Sequence, residues 1–161
     1  MISDQHNNFS SDEPFLRIAI ALARQARQQS NEPFGAVLVV ANTIVHQSLG
    51  GSHEFSDPTF HAELRVISEY CRANRRITLR GYTLYASTEP CPMCAGAIHW
   101  ARISRVVFSV SQVMLQRLSG GSPKPGCGSI INTDTGVQQA EILGPLLPEE
   151  GLAVFEGYEF V

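Results

Sequence analysis

No apolar run in the chain approaches the roughly 20 residues needed to span a bilayer, so no membrane-spanning helix is expected. Met1 to Asp12 is polar and lacks both a leading positive charge and an apolar segment, so no secretory signal is expected either. Basic residues are few: 12 Lys and Arg stand against 15 Asp and Glu, a formal net charge of −3. That balance argues against an extended nucleic-acid groove, which needs clustered Lys and Arg. The one basic cluster, Arg72, Arg75, Arg76 and Arg80, reads as a solvated helix end. Cysteine is limited to four residues. In the reduced cytoplasmic setting expected here, a close cysteine pair binds metal or does chemistry more often than it forms a structural disulfide. There are no internal repeats or low-complexity blocks.

What remains is a chain of 161 residues, 43% hydrophobic, long enough to bury a core without staples. It is expected to form one domain over 1–161, with 1–12 as a flexible tail. Ser11 or Asp12 offers a helix cap, and Phe15, Ile18, Leu22 and Ala26 recur at helical period over about 13–29. Residues 34–40 and 43–48 read as a hairpin turning at Ala41-Asn42. Asp57-Pro58-Thr59 signals a helix start, with an apolar stripe through Cys71 to about Ala73. Residues 82–87 form a third strand, Cys91 to Trp100 a helix, 105–110 a fourth strand and 112–118 a short helix. Ser119 to Ser129, rich in glycine and proline, reads as loop and leaves Cys127 as a surface thiol. Ile142-Leu143 suggests a fifth strand, and 148–158 a terminal helix. This order implies an α/β fold, a mixed sheet covered by helices on both faces.

Two short stretches carry the chemistry. Cys91 and Cys94 lie three apart at a helix start, where unpaired N–H groups and the positive end of the dipole favour thiolate. Pro92 between them costs little, because its missing donor would be unpaired there. His61 and Glu63 are two apart, about 200° around a helix axis. They serve one pocket only from a helix end, where Asp57-Pro58-Thr59 puts them. Three ligands with a fourth position left for water describe a catalytic zinc site. His61, Cys91 and Cys94 are the three, and Glu63 is the acid/base left over. Zinc acidifies water and a nearby carboxylate moves its proton, so the parts describe hydrolytic deamination. A structural zinc knuckle is the rival reading. It needs a fourth ligand, for which His53, His99 and Cys127 are candidates, and it gives Glu63 nothing to do.

His61-Ala62-Glu63 with Pro90-Cys91-Pro92-Met93-Cys94 resembles the zinc-dependent cytidine deaminase-like superfamily, whose signature has this form. The resemblance runs from about Phe15 to Phe108. The segments 57–63 and 89–98 look like the branch holding guanine deaminases and tRNA adenosine deaminases. Pro33-Phe34-Gly35-Ala36 and Trp100-Ala101-Arg102 lean to the guanine side, where a tryptophan lines the purine pocket. Two features of that branch are missing: a base-contacting asparagine in Leu49 to His53, and an acidic stretch after the fourth strand.

The resemblance implies a three-layer α/β/α fold with a five-stranded mixed sheet, one catalytic zinc per chain and a homodimer. It implies a small heterocyclic amine as substrate, a purine base or nucleoside. Phe34, Ala62, Thr88, Glu89, Pro90, Trp100 and His53 are the candidate substrate contacts. Adenosine in tRNA is the alternative substrate, although residues 149–161 are acidic rather than basic. A zinc-stabilised binding module without turnover is the third reading.

Overall fold

The computed structural model describes residues 9–160. The helix α1 spans Phe9–Gln28, the strands β1 and β2 span Gly35–Val40 and Thr43–Leu49, and α2 spans Ala62–Asn74. There follow β3 (Thr83–Thr88), α3 (Pro92–Ala101), β4 (Arg105–Val110), α4 (Gln112–Ser119), α5 (Cys127–Ile131) and β5 (Glu141–Leu143). The helix α6 (Pro148–Leu152) and a short 3-10 turn (Ala153–Phe155) close the order.

The sheet runs β2-β1-β3-β4-β5. The hairpin strands pair antiparallel, β1 is antiparallel to β3, and β3, β4 and β5 are parallel. The sheet is therefore mixed and five-stranded, as the resemblance implies. Its hairpin turns on Ala41 and Asn42, both at positive φ, the backbone that a two-residue loop needs to match strand twist.

Side-chain alternation along the strands feeds two cores. On one face Leu38, Leu84, Ala86, Val106 and Phe108 pack with Val66 and Ile67 of α2, Ile98 of α3 and Ile131 of α5. On the other, Val37, Val39, Tyr85 and Val107 pack with Leu16, Ile20 and Ala23 of α1 and with Val154 and Phe155. The approach of α1 requires Gly35. A Cβ there would collide with the Ala19 carbonyl and lie 2.6 Å from Leu22 Cβ.

Three elements depart from the sequence reading. Helix α1 already includes Phe9 to Asp12, while residues 1–8 of the expected tail, with His6, lie outside the described residues. Asp12 does not cap the helix. It is 2% exposed, and its carboxylate is held by Tyr85 and Arg105. The stretch read as loop through Ser129 contains α5, and Cys127 is fully buried rather than a surface thiol. The terminal helix is shorter than expected, ending after one turn and continuing as a 3-10 turn. No helix among the described residues is long and apolar enough to cross a membrane.

Candidate active site

The site lies beyond the C-terminal ends of β3 and β4, at the point where the sheet changes from parallel to antiparallel pairing. Ligands gather at such ends in α/β sheets because helix N-termini converge there. Here the converging helices are α2 and α3. His61 occupies the N-cap of α2 with extended backbone angles, φ −75° and ψ 148°. Glu63 is in the first turn. The two side chains therefore meet in one pocket because His61 stands just outside the helix, where helical rotation does not separate them. Asp57 sets up this entry by accepting bonds from the Thr59 amide and hydroxyl, at 2.8 and 2.6 Å.

Cys91 repeats the arrangement as the N-cap of α3, with Pro92 at the first helical position and Cys94 one turn in. Cys91 Sγ lies 3.5 Å from His61 Nδ1. The ligand atoms of His61, Cys91 and Cys94 all fall within 4.8 Å of one another, so the three could hold one metal ion. The donor chemistry fits a soft divalent cation. The Cys91 thiol is pulled down to about 4, chiefly by the neighbouring Cys94 side chain and then by His61, against burial. The Cys94 thiol is raised, first by Cys91 and then by burial. The His61 imidazole is raised first by Cys91 and less by the charges of Glu63 and Glu32, against burial. Glu63 is 6% exposed, and burial pushes its carboxyl up to about 7. The Cys94 thiol donates to Glu63 Oε2 at 3.7 Å.

A cleft of about 380 Å³ opens over these groups. His61, Glu63 and Cys91 form its floor, and Phe34, Leu115 and Phe160 supply apolar walls. Glu32, Thr88, Glu89, Gln112, Ser119, Gly121 and Lys124 complete the lining. Lys124 is the chain's single lysine. The Thr88 hydroxyl is the one buried side-chain polar atom among the described residues without a hydrogen-bond partner. Such a group, left unpaired, costs about 1–3 kcal/mol, a deficit that a bound molecule could relieve.

The proposed substrate contacts fall into different places. Phe34 and Thr88 line the cleft. Glu89 also borders it, yet both carboxylate oxygens are engaged: Oε2 accepts from the Gln112 amide and Oε1 from the Cys127 amide, each at 2.9 Å. Ala62 is fully buried in the core of the α2 face, and Pro90 is buried outside the lining. His53 borders an adjoining cleft that shares Glu32 and His61 with the first. Trp100 is 76% exposed, and its ring meets the edge of His99 at 5.4 Å. The pocket end of α3 is its N-terminus, and Trp100 lies two turns away. His46 pairs with Glu69 at 2.9 Å, away from the cleft lining. Glu32, Gln112, Leu115, Lys124 and Phe160 escaped the sequence reading. Each lies far along the chain from the metal motifs, and none carries a periodic or motif signal.

Residues 9–110 match the cytidine and deoxycytidylate deaminase zinc-binding region. The chain belongs to that family. Among its relatives, the deaminase is 35% identical over 150 residues to a probable cytosine deaminase of Schizosaccharomyces pombe, covering 91% of each chain. It is 35% identical over 145 residues to a tRNA-specific adenosine deaminase of Bacillus subtilis, covering 88% of this chain and 84% of that one. The solved guanine deaminase of Bacillus subtilis superposes with a TM-score of 0.64 at 30% identity, over 91% of this chain and 92% of the other. The protein is thus a zinc-dependent deaminase, and its reaction is hydrolytic removal of an amine.

Proposed function

We propose that this deaminase acts on a free heterocyclic base, with His61, Cys91 and Cys94 holding the zinc. The observation that carries the reading is the pair of aromatic rings, Phe34 and Phe160, in the cleft lining. The two rings suit a flat molecule, and the volume suits a ligand of small-molecule size. The bound zinc would supply a Lewis acid that acidifies water. Glu63 would take a proton from the attacking water and pass it to a ring nitrogen. It would then take the second proton from the newly formed hydroxyl and deliver it to the departing nitrogen. A C–O bond forms at the amine-bearing carbon, the C–N bond breaks and ammonia leaves. The walls at Phe34, Leu115 and Phe160 would exclude bulk water and hold the ring.

The lean towards guanine loses one support, because Trp100 is remote from this cleft. Purine and pyrimidine bases therefore enter the proposal together.

A second reading, adenosine in tRNA, is favoured by the several relatives that are tRNA-specific adenosine deaminases. The roof at Phe160 and the acidic residues 149 to 159 weigh against it.

Ammonia release from aminopurines, aminopyrimidines, aminotriazines and a tRNA anticodon stem-loop distinguishes the two. Turnover of at least one free base is expected, and it should fall at least about 100-fold in Glu63→Ala while zinc is retained. Turnover of the stem-loop alone would overturn the free-base reading.

A further inference from the structure

We propose that Glu32 sets the substrate preference of the cleft by accepting hydrogen bonds from a second N–H donor group on the bound base. The inference rests on the free-base reading above and adds the chemical class of that base. It would be a heterocycle with a second donor group, such as an additional amine.

The three carboxylates bordering the cleft are in different states. Glu89 is fully bonded to backbone amides, and Glu63 receives the Cys94 thiol. Glu32 is half-buried, and among the described residues its carboxylate has neither a hydrogen bond nor an ion pair. It borders both the cleft over the metal ligands and the adjoining cleft that holds His53.

The backbone beneath it is held firmly. The Glu32 carbonyl accepts from the Phe34 amide at 2.8 Å, and Pro33 restricts the conformation of the residue before it. Asn31, 2% exposed, accepts from the Glu54 amide at 3.1 Å. A fixed, partly desolvated acceptor without a donor of its own is prepared for a ligand that brings one. A base bound in this cleft with its amine over Glu63 would share the lining with such a group. A neutral ring edge bearing only acceptors would meet repulsion there.

The test compares adenine with the same purine carrying a second amino group, and 4-aminopyrimidine with its diamino counterpart. Binding to zinc-loaded Glu63→Ala protein is measured by calorimetry, and kcat and KM are measured on the enzyme with Glu63 intact. Both measurements are repeated with Glu32→Gln. A hydrogen bond to a charged group is expected to favour the diamino member about 10- to 100-fold in Kd and KM. In Glu32→Gln that ratio should shrink at least about tenfold. An unchanged ratio overturns the proposal. So does an equal loss of kcat on both members, which would mean that Glu32 acts through His61 and not on the base. If no base is turned over, the free-base reading fails, while the calorimetric ratio still decides the role of Glu32.

Discussion

Arg105 on β4 grips the carboxylate of Asp12 on α1 through both terminal nitrogens, with Nη2 2.8 Å from Oδ2. The Tyr85 hydroxyl donates to the same carboxylate at 2.7 Å, and Arg105 Nε donates to Glu141 at 2.8 Å. One buried acid thus ties α1 to β3 and β4, and Arg105 extends the link to β5. Removing one partner of a buried pair leaves the other charge uncompensated, so Asp12→Ala should cost about 3–5 kcal/mol in urea denaturation. Activity per folded molecule should change little, because the pair is remote from the cleft.

The same acid gives a pH signature. Burial raises the Asp12 carboxyl, but the bonds from Arg105 and Tyr85 outweigh it and hold it below its ordinary value. A carboxyl depressed on folding stabilises fully above its unfolded value of about 3.9 and loses that contribution as pH falls through the folded value. The urea midpoint of the wild-type protein should therefore drop below about pH 4 more steeply than that of Asp12→Asn. Parallel profiles would remove Asp12 as the source.

Gly35 is where α1 comes closest to the sheet. In Gly35→Ala the new methyl would lie 2.7 Å from the Ala23 amide nitrogen as well as against the Ala19 carbonyl. Both are backbone atoms of one helix, so relief requires α1 to move. A loss of about 1–3 kcal/mol is expected from such overpacking, read as a lowered Tm.

Glu89 joins the β3 end to the starts of α4 and α5. Glu89→Ala leaves two backbone donors unpaired, at about 1–3 kcal/mol each. The end of α4 at Ser119 and the loop carrying Gly121 and Lys124 lie between those starts, so KM should rise while zinc content holds. Cys127, whose thiol is pushed up to about 12 by burial and by Glu89, should alkylate faster in the variant. Unchanged labelling would show that Glu89 does not secure this segment.

Zinc removal by a chelator should abolish turnover and lower the Tm. Because the metal binds the folded chain, the Tm should recover with added zinc in proportion to ligand saturation. In Cys94→Ala, zinc should restore neither.

The parts legible in the sequence are those whose chemistry and geometry are local. Cys91 and Cys94 sit within one helical turn, and a cap position explains His61 and Glu63 together. The strands 105–110 and 43–48 announced themselves by β-branched and alternating residues. The errors arise where distant contacts override local signals. Asp12 has the composition of a cap, but Arg105, 93 residues away, draws it into the protein. Helix α5 is only five residues long and begins where Glu89 accepts the Cys127 amide, a partner 38 residues away. Phe160 gives no sign of the cleft in its own neighbourhood. Its placement depends on stacking with Phe155 at 5.8 Å and on the edge of Tyr158 at 5.0 Å.

That aromatic stack has a consequence for how the catalyst is assembled. Arg27 on α1 donates to the carbonyls of Val154 and Glu156, both at 2.7 Å, fastening the segment that leads to Phe160. Floor, walls and roof of the cleft are thereby present on one polypeptide. Tethering the C-terminal segment to α1 thus carries an aromatic ring from the far end of the chain to the side of the metal ligands.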